Sequence, residues 1–147
     1  MKKIAIAASA VLAVVLLTGF ASRGGHGWGH NPERIKQVLT WRLNDKLEDL
    51  DASDAQRQSI NAAKDRLFED GGRLMEEQRG ARVEAFTQLS SDSPDAQKLH
   101  ALVDARIDAM RAFAHKITDA ALEVHGTLTP QQRKELATEF RERTGIQ

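Results

Sequence analysis

The sequence predicts an all-α protein with four helices, dominated by one long antiparallel helical hairpin. Apolar residues recur at intervals of three and four positions through most of residues 32–143, which is the spacing of one face of a helix. The strongest run, over residues 103–128, keeps a heptad rhythm and calls for a second long helix beside it. Two capping patterns and one turn-forming segment divide these runs into separate helices.

The chain begins with the features of a secretory signal peptide, which we place at residues 1–21. Lys2 and Lys3 precede an apolar run over residues 4–17, and small residues lead to a cleavage site after Ala21. The apolar run is shorter than the roughly 20 residues that a membrane-spanning helix needs. We therefore expect export to the periplasm and a soluble mature protein.

The sequence LTGF at 17–20 resembles a bacterial lipoprotein signal in which Phe20 stands at the position of the acylated cysteine. The chain contains no cysteine. The sequence therefore predicts no lipid anchor, no disulfide and no thiolate metal site.

The first part of the mature chain divides into an arm and a helix. Residues 22–31, SRGGHGWGHN, are rich in glycine and lack apolar periodicity, which predicts a flexible arm. Pro32 then opens a helical domain over residues 32–147, whose first helix runs to about residue 50. The apolar stripe of this helix consists of Ile35, Val38, Leu39, Leu43, Leu47 and Leu50.

The second helix is predicted from Ser53 to about residue 89. Three glycines interrupt it, and each costs up to about 1 kcal/mol relative to alanine in a helix interior. We expect a bend or a weak segment at Gly71 and Gly72. The apolar stripe consists of Ile60, Ala63, Leu67, Leu74, Val83, Phe86 and Leu89.

The third helix follows a turn, SSDSPD at 90–95, with Ser93 as the expected N-cap and Pro94 in the first helical position. At 1.5 Å per residue, its roughly 35 residues make a rod of about 50 Å, and only the second helix matches that length. The heptad ridge that should join the two consists of Val103, Ile107, Met110, Ala114, Ile117, Ala121, Val124 and Leu128.

A hairpin of two rods is too thin to cover both of its apolar faces. We expect the first helix, a short fourth helix over about 130–143 and a second copy of the chain to cover them. The thin shape of the hairpin therefore predicts a homodimer.

A short pattern occurs twice, as ASDAQRQSI at 52–60 and as LTPQQRKEL at 128–136. In each copy a hydroxyl residue can cap a helix and a glutamine three positions later can reach back to the cap, which is a capping box. Pro130 strengthens the second copy. The pattern accounts for two helix starts, and the residues that form them are Ser53, Gln56, Thr129, Pro130 and Gln132.

These paired segments, with LTPQQR at 128–133 as the sharpest element, resemble the LTxxQ motifs of the CpxP and Spy family of periplasmic stress proteins and its heavy-metal-resistance relatives of the ZraP and CnrX type. The first copy has Ala52 and Ser53 where the family has Leu-Thr. The resemblance implies a cradle-like antiparallel homodimer that acts as an ATP-independent chaperone of unfolded envelope proteins or as a metal-responsive accessory protein. It also allows docking to a membrane stress sensor.

Two groups of residues are candidate metal ligands, although the fold requires no cofactor. His26 and His30 are four positions apart in the arm, and imidazole nitrogens bind zinc, nickel or copper. His115 and Asp119 lie one turn apart on the third helix and could hold one edge of an ion or form a surface hydrogen bond. A solvated arm without metal is the alternative for the first pair.

The long helices also carry basic and adaptable apolar side chains that could hold an unfolded client. Their aliphatic stems and sulfur atoms suit loose contact with apolar segments, and their charges attract acidic ones. A solvated charged face is the alternative interpretation. The candidates are Arg57, Lys64, Arg73, Met75, Arg106 and Met110.

Other functional classes have little support in the sequence. Without the two signal lysines, 19 basic residues stand against 21 acidic ones, which disfavours a nucleic-acid partner. Cysteine and tyrosine are absent, and no phosphate-binding loop or HExxH motif occurs. We therefore expect a protein that is not an enzyme.

Overall fold

The computed structural model describes residues 32–145, and these form four α-helices without a β-strand. The helices are α1 (Pro32–Asp49), α2 (Asp54–Leu89), α3 (Ala96–Thr127) and α4 (Pro130–Thr144). The predicted all-α fold is confirmed, and the helix bounds agree closely with the expected ones. The predicted signal peptide and arm lie outside the described residues.

The chain divides into two compact units. The described part of unit 1 comprises residues 32–64 and 117–145, and unit 2 is residues 65–116. Both α2 and α3 contribute one segment to each unit. Unit 1 therefore contains segments of all four helices, whereas unit 2 contains segments of two.

The core of unit 1 is built from the apolar stripes of its helices. Ile60 on α2 is the largest fully buried side chain among the described residues, with 1% of its surface exposed. Val124 and Leu136 pack against the core from α3 and α4. The buried cluster consists of Leu43, Leu47, Ala52, Ile60 and Leu128.

The connection from α1 to α2 reverses the chain through a left-handed residue. Asp51 has φ 49°. Its N–H donates to the carbonyl of Glu48, and the N–H of Ala52 donates to the carbonyl of Leu47, both at 2.9 Å. This pair of bonds is a Schellman motif, which satisfies carbonyls left unpaired at the helix end. The buried Ala52 then enters the core.

Two lysines are buried in unit 1 and are held by polar partners. The Lys46 ammonium donates to the carboxylate of Glu139, which ties α1 to α4. The Lys64 ammonium donates to the hydroxyl of Thr40 at 2.9 Å and to the side-chain oxygen of Asn61 at 3.0 Å. Lys46 is therefore ion-paired with a carboxylate, whereas Lys64 donates hydrogen bonds to neutral oxygens, and these partners offset the cost of burying the two ammonium groups.

In unit 2 the two helix segments pack antiparallel along a narrow buried stripe. Leu67 and Leu74 from α2 are buried there together with Phe113 from α3. A Cβ atom at Gly71 would lie 3.3 Å from the Phe113 ring, so glycine allows this ring its close approach. The helix is continuous through Gly71 and Gly72, so these residues do not interrupt it.

One edge of unit 2 is joined by two ion pairs between the helices. Asp70 accepts from Lys116 at 2.7 Å, and Glu84 accepts from Lys98 at 2.5 Å. The hydrogen bond from Lys98, reinforced by one from Gln88, lowers the pKa of Glu84 below its ordinary value. Oppositely charged residues of α2 and α3 are therefore paired along this edge in the antiparallel register of the two segments.

The predicted heptad ridge of α3 was wrong in its N-terminal half. Ile117, Val124 and Leu128 are buried or half-buried in unit 1, but Val103 and Ile107 are 55% and 51% exposed. In unit 2, α3 packs instead through a stripe about one residue earlier, comprising Leu99, Leu102, Arg106, Ala109 and Phe113. Two apolar stripes run side by side on this helix, and periodicity alone did not tell which one faces α2.

The expected cap of the third helix was also wrong. The helix begins at Ala96, and the N–H of Lys98 donates to the Asp95 carboxylate at 3.0 Å. Asp95 therefore caps the helix in place of Ser93, because a carboxylate three positions before that N–H satisfies an unpaired donor of the first turn. Pro94 lies before the helix.

Candidate functional site

The two repeated motifs begin α2 and α4 as predicted capping boxes. Ser53 N–H donates to the Gln56 side-chain oxygen at 2.9 Å, and Thr129 N–H donates to that of Gln132 at 2.8 Å. The reverse bonds, from each glutamine N–H to the hydroxyl oxygen, are both 3.3 Å. Pro130 occupies the first turn of α4. The architectural interpretation of the repeat is confirmed.

The two motif glutamines also contact each other, which the sequence analysis missed. The Gln56 side-chain amide donates to the Gln132 side-chain oxygen at 3.0 Å and to the carbonyl of Thr127 at 2.9 Å. The Gln132 amide donates to the carbonyl of Leu50 at 3.0 Å. Each glutamine thus belongs to the capping box of its own helix. In addition, Gln56 donates to a carbonyl at the end of α3, and Gln132 donates to a carbonyl just after α1. The repeat itself was the signal that could have indicated this pairing.

Two of the six predicted client-binding residues serve the structure of unit 1 instead. Lys64 is only 4% exposed, and its ammonium is held by Thr40 and Asn61. Arg57 is half-buried, and its Nε donates to the carbonyl of Ala52 at 2.9 Å. The buried position of Lys64 contradicts its prediction as a surface contact, since helical spacing places it beside Ala63 and Leu67 in the buried stripe.

The other predicted residues lie in unit 2. Arg73 is exposed and forms a surface ion pair with Glu69 at 3.3 Å. Arg106 is half-buried in the stripe of α3 that packs on α2. Met75 and Met110 are exposed apolar residues. These four remain predictions, and the methionines lie on the most distinctive surface of the unit.

That surface is an exposed apolar stripe on each helix of unit 2, which we call the apolar face. Each stripe lies about a quarter turn from the buried stripe of its own helix, in the same rotational sense. Because the helices are antiparallel, both stripes come to one side of the unit, opposite the edge with the two ion pairs. The apolar face consists of Met75, Val83, Phe86, Leu89, Val103, Ile107 and Met110.

Two arginines, Arg79 and Arg82, are exposed at helical spacing among the residues of the apolar face. Arg82 is exposed at helical spacing between Arg79 and Phe86. Arg79 pairs with Glu76 at 3.6 Å, whereas Arg82 has no ion pair within residues 32–145. The face therefore combines apolar side chains with an uncompensated guanidinium.

The histidine candidates do not form a metal site within the described residues. His115 and Asp119 are both exposed on α3, and in residues 32–145 no group of three or more His, Asp or Glu side chains could hold a metal ion. His26 and His30 lie outside the described residues.

A shallow groove on α1 is a weaker candidate for a functional site. It has a volume of about 370 Å³ and is lined by residues of one helix, including Trp41, Thr40 and Glu33.

Within residues 32–145, none of the helices combines the length and the hydropathy of a membrane-spanning segment.

The chain matches a known protein family. A family model described as heavy-metal resistance matches residues 5–135 of the chain. No curated protein and no solved structure matched it.

Proposed function

Because the chain belongs to the heavy-metal resistance family, which is part of the CpxP/Spy-like LTxxQ family, we propose that it is a periplasmic stress-protection protein that binds partly unfolded proteins without ATP. The observation that carries this proposal is the apolar face of unit 2. Contiguous exposed apolar surface of this kind is typical of interaction sites.

The proposed occupant is an extended segment of a non-native polypeptide that contains both apolar and acidic side chains. Phe86 and Met75 supply apolar and adaptable contact surface. The aliphatic stem of Arg82 extends that surface, while its guanidinium attracts carboxylates. Folded proteins bury their apolar segments, so the face distinguishes unfolded clients from folded ones.

Aggregation of a chemically denatured enzyme, such as citrate synthase diluted into buffer with stoichiometric protein, tests this proposal. Wild type should delay aggregation, and the double variant Val83→Glu with Phe86→Glu should need about tenfold more protein for the same delay. Both side chains are largely exposed, so the fold should survive. Leu122→Glu, compared with the single variant Val83→Glu, is the control, because Leu122 and Val83 are similarly exposed, at 63% and 65%, but Leu122 belongs to unit 1. Equal activity of the two variants would contradict the proposal.

We also propose that the chain forms a homodimer in which a second copy and clients compete for the apolar face. Two helices supply only one layer, and a second copy would remove the remaining apolar surface from water. Sedimentation velocity over a range of concentrations should detect a dimer that Val83→Glu with Phe86→Glu weakens. A dimer of unchanged affinity in this variant would place the self-contact elsewhere. A membrane stress sensor is the further partner to test by pull-down from envelope fractions.

Family membership favours a second candidate function, a periplasmic sensor or scavenger of zinc, nickel or copper. Calorimetric titration of wild type and of the double variant His26→Ala with His30→Ala tests it, and His115→Ala with Asp119→Ala tests the helical pair. A sensor should bind one metal more tightly than about 10 μM, which corresponds to roughly 7 kcal/mol. Weaker binding in wild type would exclude the sensory role.

A further inference from the structure

Gln78 forms an unusual contact in the interior of unit 2. Its side chain is 6% exposed, and its amide Nε2 donates to the Sδ atom of Met110 at 3.8 Å. A thioether is a weak hydrogen-bond acceptor. A buried amide donor is therefore directed at an atom that accepts poorly.

Met110 is accessible to small reagents while it makes this contact. It is 37% exposed and lies on the apolar face. Exposed methionines are oxidised to sulfoxides, and the sulfoxide oxygen is a far stronger acceptor than the sulfur. The Gln78 amide is thus already placed beside the sulfur to which that oxygen would be attached.

We propose that Met110 is a reversible oxidation site whose sulfoxide oxygen is bound by the side-chain amide of Gln78. Hydrogen peroxide transfers one oxygen atom to a lone pair of Sδ. The sulfur loses two electrons, the O–O bond breaks and water leaves. A methionine sulfoxide reductase that uses two thiols restores the thioether and yields a disulfide and water.

Oxidation at this site has two expected consequences. The new hydrogen bond offsets the cost of placing a polar sulfoxide next to the helix interface, so unit 2 keeps its stability. The apolar face loses one apolar group, which lowers affinity for apolar clients. The second consequence rests on the proposed function, whereas the first does not.

The test uses the full chain with Met75→Leu, which leaves Met110 as the oxidisable methionine of residues 32–145. Protein treated with hydrogen peroxide is mapped by mass spectrometry and melted before and after treatment. The melting temperature should stay within about one degree of the untreated value. With Gln78→Leu added, the same oxidation should lower it by about 4 °C. Met110→Leu is the control without a sulfoxide.

Two results would overturn the proposal. One is a Met110 that stays reduced under conditions that oxidise Met75 in wild type. The other is an equal fall in melting temperature with and without Gln78. If Gln78→Leu does not fold, Gln78→Ala replaces it, since alanine favours a helix, has no side-chain donor and should also give a fall on oxidation.

Client binding is measured separately on the oxidised Met75→Leu protein. The loss of one apolar group should reduce affinity for an apolar client about fourfold. An unoxidised protein that never delays aggregation removes the proposed function and leaves the thermal test standing. An oxidised protein that binds clients as well as the reduced one removes the regulatory consequence.

Discussion

At the scale of single residues, the end of α1 places a non-glycine residue in a conformation that favours glycine. Asp51 has φ 49° and occupies the left-handed position of the Schellman motif. Aspartate tolerates this conformation better than most residues, but its Cβ atom still makes it less favourable than glycine. The left-handed conformation of Asp51 is therefore less favourable in free energy than that of a glycine at the same position.

We expect Asp51→Gly to stabilise the protein by about 0.5–1 kcal/mol, because the relief of strain exceeds the greater freedom of glycine in the unfolded chain. Urea denaturation with an unchanged slope would measure the gain. Asp51→Ala keeps a Cβ atom and lacks the polar side chain, so it should destabilise. A stabilising alanine would contradict this explanation.

The adjacent glycines of α2 differ in their surroundings. A Cβ atom at Gly72 would meet no atom within 4 Å, whereas one at Gly71 would lie 3.3 Å from the Phe113 ring. Gly72→Ala should therefore raise the free energy of unfolding by about 0.5–1 kcal/mol through helix propensity. Gly71→Ala should gain less or lose stability, because the ring must move. Equal gains in urea denaturation would show that Phe113 adapts freely.

At the scale of helices, the paired glutamines connect the starts of α2 and α4. Gln132 is buried and donates to the carbonyl of Leu50, besides receiving from Gln56. Removing it leaves polar groups without partners in a buried position, which costs more than an ordinary hydrogen bond.

Gln132→Leu should lower the free energy of unfolding by about 1–3 kcal/mol. The neighbouring Gln131→Leu, exposed on the same helix, should change it by less than about 0.5 kcal/mol. A double-mutant cycle with Gln56→Leu should give a coupling of at least about 0.5 kcal/mol. Additive effects would mean that the contact between the glutamines contributes nothing to stability.

The ion pair between Glu84 and Lys98 predicts that the stability of the protein depends on pH. Folding lowers the pKa of Glu84, chiefly through the hydrogen bond from Lys98. A carboxyl with a lowered pKa contributes stability above its unfolded pKa and loses it as the pH falls through the folded pKa. The contribution should also fall with salt, since both side chains are partly exposed.

Glu84→Gln should therefore lower the melting temperature at neutral pH, and the difference from wild type should disappear as the pH falls below the usual carboxyl range. Thermal melts from pH 7 to strong acid at low salt would measure this. Glu77→Gln on the same helix is the control. A difference that persists in acid would assign the effect to packing.

At the scale of the whole molecule, the two units differ in how much they bury. Unit 1 contains segments of four helices and the cluster around Ile60, whereas unit 2 contains segments of two helices and buries Leu67, Leu74, Gln78 and Phe113. Local stability follows the burial of apolar contacts.

Amide hydrogen exchange at low protein concentration should therefore be faster in residues 65–116 than in residues 54–64 and 117–127, although α2 and α3 run through both units. Addition of an unfolded client should slow exchange in residues 65–116 under the proposed function. Uniform protection along both helices would indicate one cooperative unit.

The sequence by itself determined the all-α fold, the two capping boxes and the helix bounds apart from the start of α3. These features depend on contacts within a few residues, such as Thr129 with Gln132 and the three- and four-residue spacing of Leu43, Leu47 and Leu50. Capping and helical periodicity depend on residues close together in the sequence, so they could be predicted without knowledge of the helices that pack against them.

Only the tertiary structure decided which apolar stripe of α3 is buried, which lysines are internal and where the two glutamines meet. Val103 and Leu102 are neighbours on the helix, and both are apolar, yet the first is exposed and the second is half-buried. The choice depends on the register and rotation of α2, which bring residues far apart in sequence together. Since hydrophobic burial is non-directional, periodicity identifies an apolar stripe but does not identify its partner.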